Sequence, residues 1–558
     1  MRILDLREME RRSVLEADLC IIGSGPAGLS IANEFVGTRT EVLVLESGGR
    51  EYEADTQALY EIESTGVSRI LDQDVLRNRV LGGTSQTWSG RCAPFDAIDF
   101  ERRSWVPWSG WPVTREGLDP YIERAGRYLG LGPNQYDETL WSRFGVDPPS
   151  PPLRSLTLRP MFWQFSKRPV NKDHMRFGQD WIQSDAPNIR IVLHANATHI
   201  NLTSGGGQLE SIEISTLEGK RCIVKSRAVV LCCGGIENAR LLLASNRIFS
   251  RGVGNQNDMV GRFLMDHTSV RVGRFELSQS FELRSRFGAY WLDDERGRHH
   301  YLHGFGLSRE AQENEHLLNC HAHISGFVHP EANPWTALGR LKSSMKSARI
   351  SASDVRVVFN HLGEVVKGLS RRQFKHRPEI ASVQSLWLEL MVEQIPDPWS
   401  RVTLSPDKKD ALGMPLSSLH WKLSDSERMT ASRLIASVCE ELKHLGLPPL
   451  NGIQQLDDYS QWVSLCYERA HPAGTTRMSS YPRDGVVDAN CQVHEVEGLF
   501  VAGSSVFPTS GAANPTLMVV AIALRVADYL KAHIRKANVR SVDTRFPLVD
   551  ESVKAGMA

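Results

Sequence analysis

The stretch from Ala17 to Glu46 constrains this chain more than any other. It reads Ala-Asp-Leu-Cys-Ile-Ile-Gly-Ser-Gly-Pro-Ala-Gly28, continues through an apolar Leu29–Phe35, and closes with Glu41-Val-Leu-Val-Leu-Glu46. The order predicts a short buried strand, a glycine turn, a helix and a second buried strand ending in an acid. Gly23 permits the tight turn, Gly25 lets the backbone approach a pyrophosphate, and Gly28 allows helix and strand to pack closely. The start of the helix then offers unpaired N–H groups and a partial positive charge to phosphates. Glu46, at the end of the second strand, is placed to accept hydrogen bonds from a ribose diol. Three glycines at this spacing are common by chance; set between two strands with a terminal acid they specify a dinucleotide cradle.

Three later segments repeat the logic. Leu81, Gly82, Gly83 and Thr84, within Arg79-Val-Leu-Gly-Gly-Thr-Ser-Gln-Thr-Trp-Ser-Gly90, set a glycine pair ahead of hydroxyls, which lets backbone press against a flat ring or a diphosphate. Ala228–Leu231 is an apolar strand that breaks at Gly234-Gly235 and restarts as a helix, and Val260-Gly-Arg-Phe-Leu-Met-Asp-His267 follows it. Such turns at the carboxyl ends of parallel strands are where doubly wound folds hold ligands. Leu499–Gly503 makes the same turn again, and Asn514-Pro515 opens a last helix over Thr516 to His533, proline being favoured in a first helical turn.

These segments, together with His471-Pro-Ala-Gly-Thr-Thr-Arg-Met478, Gly485-Val-Val-Asp488 and Leu499-Phe-Val-Ala-Gly-Ser-Ser505, resemble the glucose-methanol-choline (GMC) family of FAD-dependent oxidoreductases, in the family's order and across nearly the whole chain. Trp111-Pro112, Phe162-Trp-Gln-Phe-Ser166 and Gln394-Ile-Pro-Asp-Pro-Trp-Ser-Arg-Val402 resemble its sugar-oxidising branch of pyranose oxidases and bacterial sugar dehydrogenases. The resemblance implies an α/β fold: a Rossmann-like, doubly wound FAD-binding domain from about 1–105, 190–275 and 465–540. Interleaved with it is an α+β substrate domain on an antiparallel sheet, from 106–189 and 276–464. Three apolar runs, His299 to Leu307, Leu317 to Val328 and Val383 to Gln394, read as strands of that sheet. The implied cofactor set is Gly23, Ser24, Gly25, Gly28, Glu46, Ser47, Leu81, Gly82, Gly83, Thr84, Ala197, Cys233, Gly234, Asn238, Gly503, Ser504, Asn514 and Thr516. Thr87 stands where some relatives carry a flavin-linking histidine, so the FAD is expected to be non-covalent.

Oxidising an alcohol removes a hydroxyl proton and a hydride. The flavin takes the hydride at N5, and the protein supplies orientation and a base. A base that titrates near neutrality suits this, and histidine is the natural choice. His471 matches the family's catalytic histidine, and Asn514 its second catalytic position, where an amide hydrogen-bonds the substrate oxygen without competing for the proton. Asn514 is also placed to cap the last helix, whose N-terminus stabilises negative charge on a reduced flavin. The expected reaction is oxidation of a sugar, glycoside or similar polyol to a carbonyl. The alternatives are the same chemistry on a bulky hydrophobic or natural-product alcohol, for which Trp105, Trp108 and Trp111 would line a greasier entrance, and a flavin-binding subunit without catalysis. Sequence does not choose among oxygen, a quinone and a cytochrome as the final electron acceptor.

Composition narrows the partners. Lys+Arg and Asp+Glu both number 65, so no net charge draws the chain to nucleic acid or to an anionic membrane. Nine scattered cysteines without CxxC spacing read as small buried hydrophobes of a reduced compartment. The charged N-terminus has no apolar core of a signal peptide, and no transmembrane run occurs. A cytoplasmic location is expected, with export beside a signal-bearing partner as the exception.

Two features compete for attention. His299, His300, His303, His316, Cys320, His321, His323 and His329 form a dense cluster, but with no carboxylate at suitable spacing it reads as a polar wall rather than a metal site. Residues 334–377 carry ten Lys/Arg against Asp354 and Glu364, with apolar residues at helical spacing: Leu338, Leu341, Met345, then Val355, Val358, Phe359, Leu362, Val365, Val366 and Leu369. This predicts a cationic helical hairpin whose apolar stripe packs on the domain. A lid, a dock for an electron-acceptor protein or a membrane-surface contact are its functional alternatives.

Overall fold

The computed structural model describes residues 2–10, 14–69, 76–168, 175–182, 185–329, 331, 333–344, 351–453, 456 and 458–534. Met345 and residues 535–540, named above, lie outside them. The first sheet has eight strands. In spatial order they are Arg2–Asp5, Ile189–Leu193, Val42–Leu45, Val14–Ile22, Arg221–Leu231, Leu209–Ser215 and Asn196–Leu202, with Leu499–Val501 pairing beside Arg221–Leu231. From Arg2–Asp5 to Arg221–Leu231 every pairing is parallel, and so is that of Leu499–Val501. Parallel strands are covered on both faces, which explains the unbroken apolar run Val-Leu-Val-Leu at 42–45, all of it buried.

The glycine turn follows Val14–Ile22, and the first helix, Pro26–Asn33, starts with proline at its first turn. That helix packs against the last helix, Thr516–Ile534, which in turn lies on the helix Arg115–Tyr128. Arg124 ties the three together through Asp528 at 2.6 Å and Glu34 at 3.0 Å.

The second sheet is antiparallel and runs Thr268–Val272, Ser385–Val392, Cys320–Phe327, Gly297–Leu307, Leu158–Phe165, Arg91–Cys92, with Ala289–Asp294 on the far edge of Gly297–Leu307. The three runs read as strands from sequence all lie in it. Arg91–Cys92 and Thr268–Val272 also pair there, although they fall within segments 1–105 and 190–275. The sheets therefore exchange chain earlier than those boundaries. A small third sheet, Arg401–Lys409, Pro415–His420 and Ile62–Ser64, joins the two parts of the protein.

The insertion departs from expectation. Its described residues form three helices rather than a hairpin: Pro334–Ser344, Ala352–Asn360 and Leu362–Lys375. The apolar stripe packs only in part: Val365 is buried and Leu338, Leu341 and Val358 are half-buried, but Val355, Phe359, Leu362, Val366 and Leu369 are exposed. The nine cysteines are not paired in disulfides among the described residues. Among the described residues no helix is long and apolar enough to cross a membrane, and no group of three His, Cys, Asp or Glu is placed to hold a metal ion.

Candidate active site

The carboxyl ends of the parallel strands open onto a cleft. Gly23, Ser24, Gly25, Glu46, Ser47, Gly83, Thr84, Ala197, Cys233, Gly234, Gly503 and Ser504 all line it, drawn from six separate stretches of chain. Three glycines leave it room: a Cβ built at Gly25, Gly234 or Gly503 meets nothing within 4 Å. Gly28 works differently. A Cβ there would stand 1.9 Å from the carbonyl oxygen of Gly23, so only glycine lets helix and turn meet.

Glu46 accepts hydrogen bonds from Ser24 N (3.1 Å), Ser24 Oγ (2.5 Å) and Gly48 N (2.9 Å). A carboxylate has about four acceptor positions, so one remains for a ligand hydroxyl. Burial raises its pKa, opposed by those three bonds.

Leu81, Gly82, Asn238, Asn514 and Thr516 do not line this cleft. Leu81 and Gly82 are buried behind it, Gly82 N donating to Ser24 Oγ at 3.1 Å. Asn238, fully buried, accepts from Cys233 N at 2.8 Å and donates to Ser505 Oγ at 2.9 Å, locking two of the turns to each other. Thr87 is exposed and its Oγ1 accepts from Asn78 Nδ2 at 2.7 Å.

Sequence reasoning missed the charged wall of the cleft. Glu237 sits among Arg79 (2.9 Å), Arg77 (3.2 Å) and Arg240 (3.3 Å), and Arg240 also pairs with Asp410 at 2.7 Å. Both Arg77 and Arg79 lie 4.1 Å over the Tyr60 ring. Burial alone would raise the Glu237 pKa, but the three guanidiniums outweigh it and bring it to about 2. Arg79 and Arg240 reach the cleft already paired with Glu237 and Asp410, so the wall is polar and internally compensated, with N–H donors beside the glycine turns. Glycine cradle, remaining acceptor position on Glu46 and the donors of Arg79 and Arg240 together fit a dinucleotide such as FAD.

Beyond Ser504 lies the second centre. Ser504 Oγ donates to the carbonyl of Pro472 at 2.7 Å, and Pro472 packs against Gly235, where a Cβ would come within 2.1 Å of its oxygen. His471 is thereby fixed to the cleft. Its backbone is held from the other side by Asp266, whose fully buried carboxylate accepts from the N–H groups of Arg469 and His471, both at 3.1 Å. Ala470 between them adopts φ 58°, which wraps the turn around that carboxylate. Arg69 balances the charge, pairing with Asp266 at 2.8 Å and with Glu468. Gln394 Oε1 accepts from Asp266 N at 2.8 Å and Trp421 Nε1 at 2.9 Å.

The ring of His471 faces a second histidine. His471 Nδ1 and His267 Nδ1 are 2.9 Å apart, and His267 Nε2 lies 3.0 Å from the carbonyl oxygen of Ser510. A carbonyl only accepts, so neutral His267 carries its proton on Nε2 and presents a lone pair at Nδ1. His471 must then donate from Nδ1, which leaves its Nε2 as the basic nitrogen. The same contact ties His471 to the loop that ends at Asn514, whose buried Oδ1 has no hydrogen-bond partner among the described residues.

Burial, then His267 and the charges of Arg469 and Arg91, holds the His471 pKa well below the usual histidine range. His267 too is lowered, chiefly by burial. On the adjoining sheet, His323 Nε2 lies 3.1 Å from Arg91, while Arg271 (3.3 Å) and Arg469 share Glu389. His299 and His303 lie elsewhere, on Asp294 (2.8 Å) and the carbonyl of Arg286 (3.0 Å).

Models of the GMC oxidoreductase family match residues 178–269 and 396–523. The 2-methyl-1,2-propanediol dehydrogenase of Mycolicibacterium austroafricanum is 24% identical over 92% of this chain and 95% of its own. The C-glycoside 3-oxidase of Microbacterium trichothecenolyticum is 38% identical over 24% of this chain and 25% of its own. A crystal structure of formate oxidase superposes with a TM-score of 0.57 at 18% identity, covering 94% of this chain and 99% of that one.

Proposed function

This chain belongs to the GMC oxidoreductases, FAD-dependent enzymes that oxidise alcohols, and from that premise we propose that it oxidises a sugar, glycoside or similar polyol with His471 as the base. The observation that carries the reading is the His471–His267–Ser510 chain, which sets one tautomer and leaves Nε2 basic. His471 takes the hydroxyl proton at Nε2, and its lowered pKa keeps it unprotonated at neutral pH. Asn514 orients the substrate oxygen through its amide, beside Oδ1, which no protein group has claimed. Bound FAD supplies the two-electron acceptor for the hydride that leaves the alcohol carbon. The Gly23–Gly28 turn, Glu46, Arg79 and Arg240 would hold that cofactor, and Thr87, which cannot form a flavin bond of the histidine type, would leave it dissociable. The 38% identity to a C-glycoside oxidase supports the sugar class.

A second reading is favoured by Arg91, which has no carboxylate partner among the described residues, and by the single Glu389 shared between Arg271 and Arg469. An alcohol that also bears a carboxylate or phosphate would satisfy this excess charge.

The test is anaerobic mixing of the yellow protein with neutral sugars, glycosides, sugar acids and apolar alcohols, following visible flavin absorbance. Neutral sugars or glycosides bleaching fastest supports the first reading, and sugar acids bleaching fastest supports the second. If only apolar alcohols bleach it, or dithionite alone does, both fail.

A further inference from the structure

Strands Cys320–Phe327 and Ser385–Val392 are antiparallel neighbours, with Phe327 opposite Ser385. A turn of a few residues joins such strands in most proteins. Here the described residues between them make the three helices given above, which pack inward on their own side chains. Val365, Gly368 and Arg371 are buried. A Cβ on Gly368 would meet the Trp335 ring at 2.1 Å, and Arg371 donates to the carbonyl of Pro378 at 2.7 Å and to Ser285 Oγ at 3.1 Å.

The outward face is apolar as well. Val355 and Phe359 stand one turn apart on the second helix, 47% and 74% exposed, and Leu362, Val366, Leu369 and Phe374 on the third range from 48% to 79% exposed. At 100° per residue, Leu362, Val366 and Leu369 share one side of their helix, flanked by Val365 and turned from Gly368 and Arg371. A cluster of this kind marks an interaction site.

Its charge identifies the partner. The two acids of these helices are engaged: Asp354 pairs with Arg340, and Glu364 accepts from Ser382 N at 3.0 Å and from its hydroxyl. Exposed Lys342, Arg356, Lys367 and Lys375 have no carboxylate within ion-pair distance among the described residues. Exposed apolar side chains on helices that also carry unpaired, long basic side chains and no free acid match the headgroup boundary of an anionic bilayer. We propose that this helical face seats the protein on an anionic phospholipid membrane surface.

The test uses the full-length, FAD-loaded protein sedimented with phosphatidylcholine vesicles that contain or lack phosphatidylglycerol. Binding is expected only with phosphatidylglycerol and should weaken as salt rises. Each basic residue near such a surface is worth roughly fivefold in partitioning, so Lys367→Glu with Lys375→Glu should lower it by at least roughly 25-fold. Phe359→Ser with Val366→Ser should also release the protein. All four positions are exposed, so flavin reduction by a soluble substrate should be unchanged in both variants, which keeps this inference separate from the reading of the catalytic site. Failure to bind phosphatidylglycerol vesicles, or binding that survives both variants, overturns it. So does a dimer in light scattering that Phe359→Ser with Val366→Ser converts to monomer, since a second copy would then cover the face.

Discussion

Replacing His267 probes the proposed base without touching it. His267→Ala removes the acceptor of the His471 Nδ1–H, which sits 2.9 Å away. A neutral hydrogen bond contributes about 1 kcal/mol net, and a buried donor left unpaired costs about 1–3 kcal/mol. Taking about 2–3 kcal/mol as the loss of organisation around the base, flavin reduction should slow roughly 30- to 150-fold. Substrate affinity should change little, because His267 lies behind the reacting nitrogen. His267→Asn offers an amide that can accept from His471 and donate toward Ser510, and should recover most of the rate. His267 is also one of the groups that hold the His471 pKa down, so its removal should move the acid limb of the rate profile upward. The assay is anaerobic stopped-flow reduction of the flavin across pH, with the visible spectrum as the control for cofactor loading. A fully loaded His267→Ala enzyme that bleaches at the wild-type rate, or an Asn variant no faster than Ala, refutes the reasoning.

Two further outcomes follow from the same geometry. His471 acts as a neutral base and its pKa lies below 6.5. Flavin reduction should therefore stay constant as pH falls from 8 to about 6.5 and decline only below that, which a pH series of stopped-flow rates will show. Gly28→Ala forces a methyl group against the Gly23 carbonyl and should lower the thermal midpoint of the apoprotein, whereas Gly25→Ala, with open space around its Cβ, should leave that midpoint unchanged while weakening FAD retention. Calorimetry of the two apoproteins and flavin content after dialysis separate the cases.

Some of this was legible because it is local. The turn at Gly23–Gly28, the strand Val42–Leu45 and the break at Gly234 each rest on a few adjacent residues whose backbone needs are specific. The second sheet was visible for the same reason, its apolar runs being contiguous. The Glu237 cluster was not, since it brings Arg77, Arg79 and Asp410 to Glu237 and Arg240 across separations of 158 to 170 residues, and a lone arginine in sequence has no partner to declare it. The His267–His471 contact spans 204 residues and was hidden likewise. In the insertion, periodicity gave helices correctly but not their facing. Residues 355–369 read as one stripe, yet His361 ends one helix and precedes the next, and both apolar sides of Leu362–Lys375 satisfy the same period.

The strand Leu499–Val501 completes the parallel sheet beside Arg221–Leu231, and Gly503 and Ser504 follow it directly into the cleft. About 270 residues separate the two partners along the chain. At a synthesis rate of about 5–20 residues per second, roughly 15–50 s pass on the ribosome between the two strands. Throughout that interval one wall of the cleft is missing and the edge of Val229–Leu231 stands unpaired. Completion of the cleft therefore waits for residues 499–504, and a nascent chain stalled before residue 499 presents a sticky strand edge instead of a complete binding site.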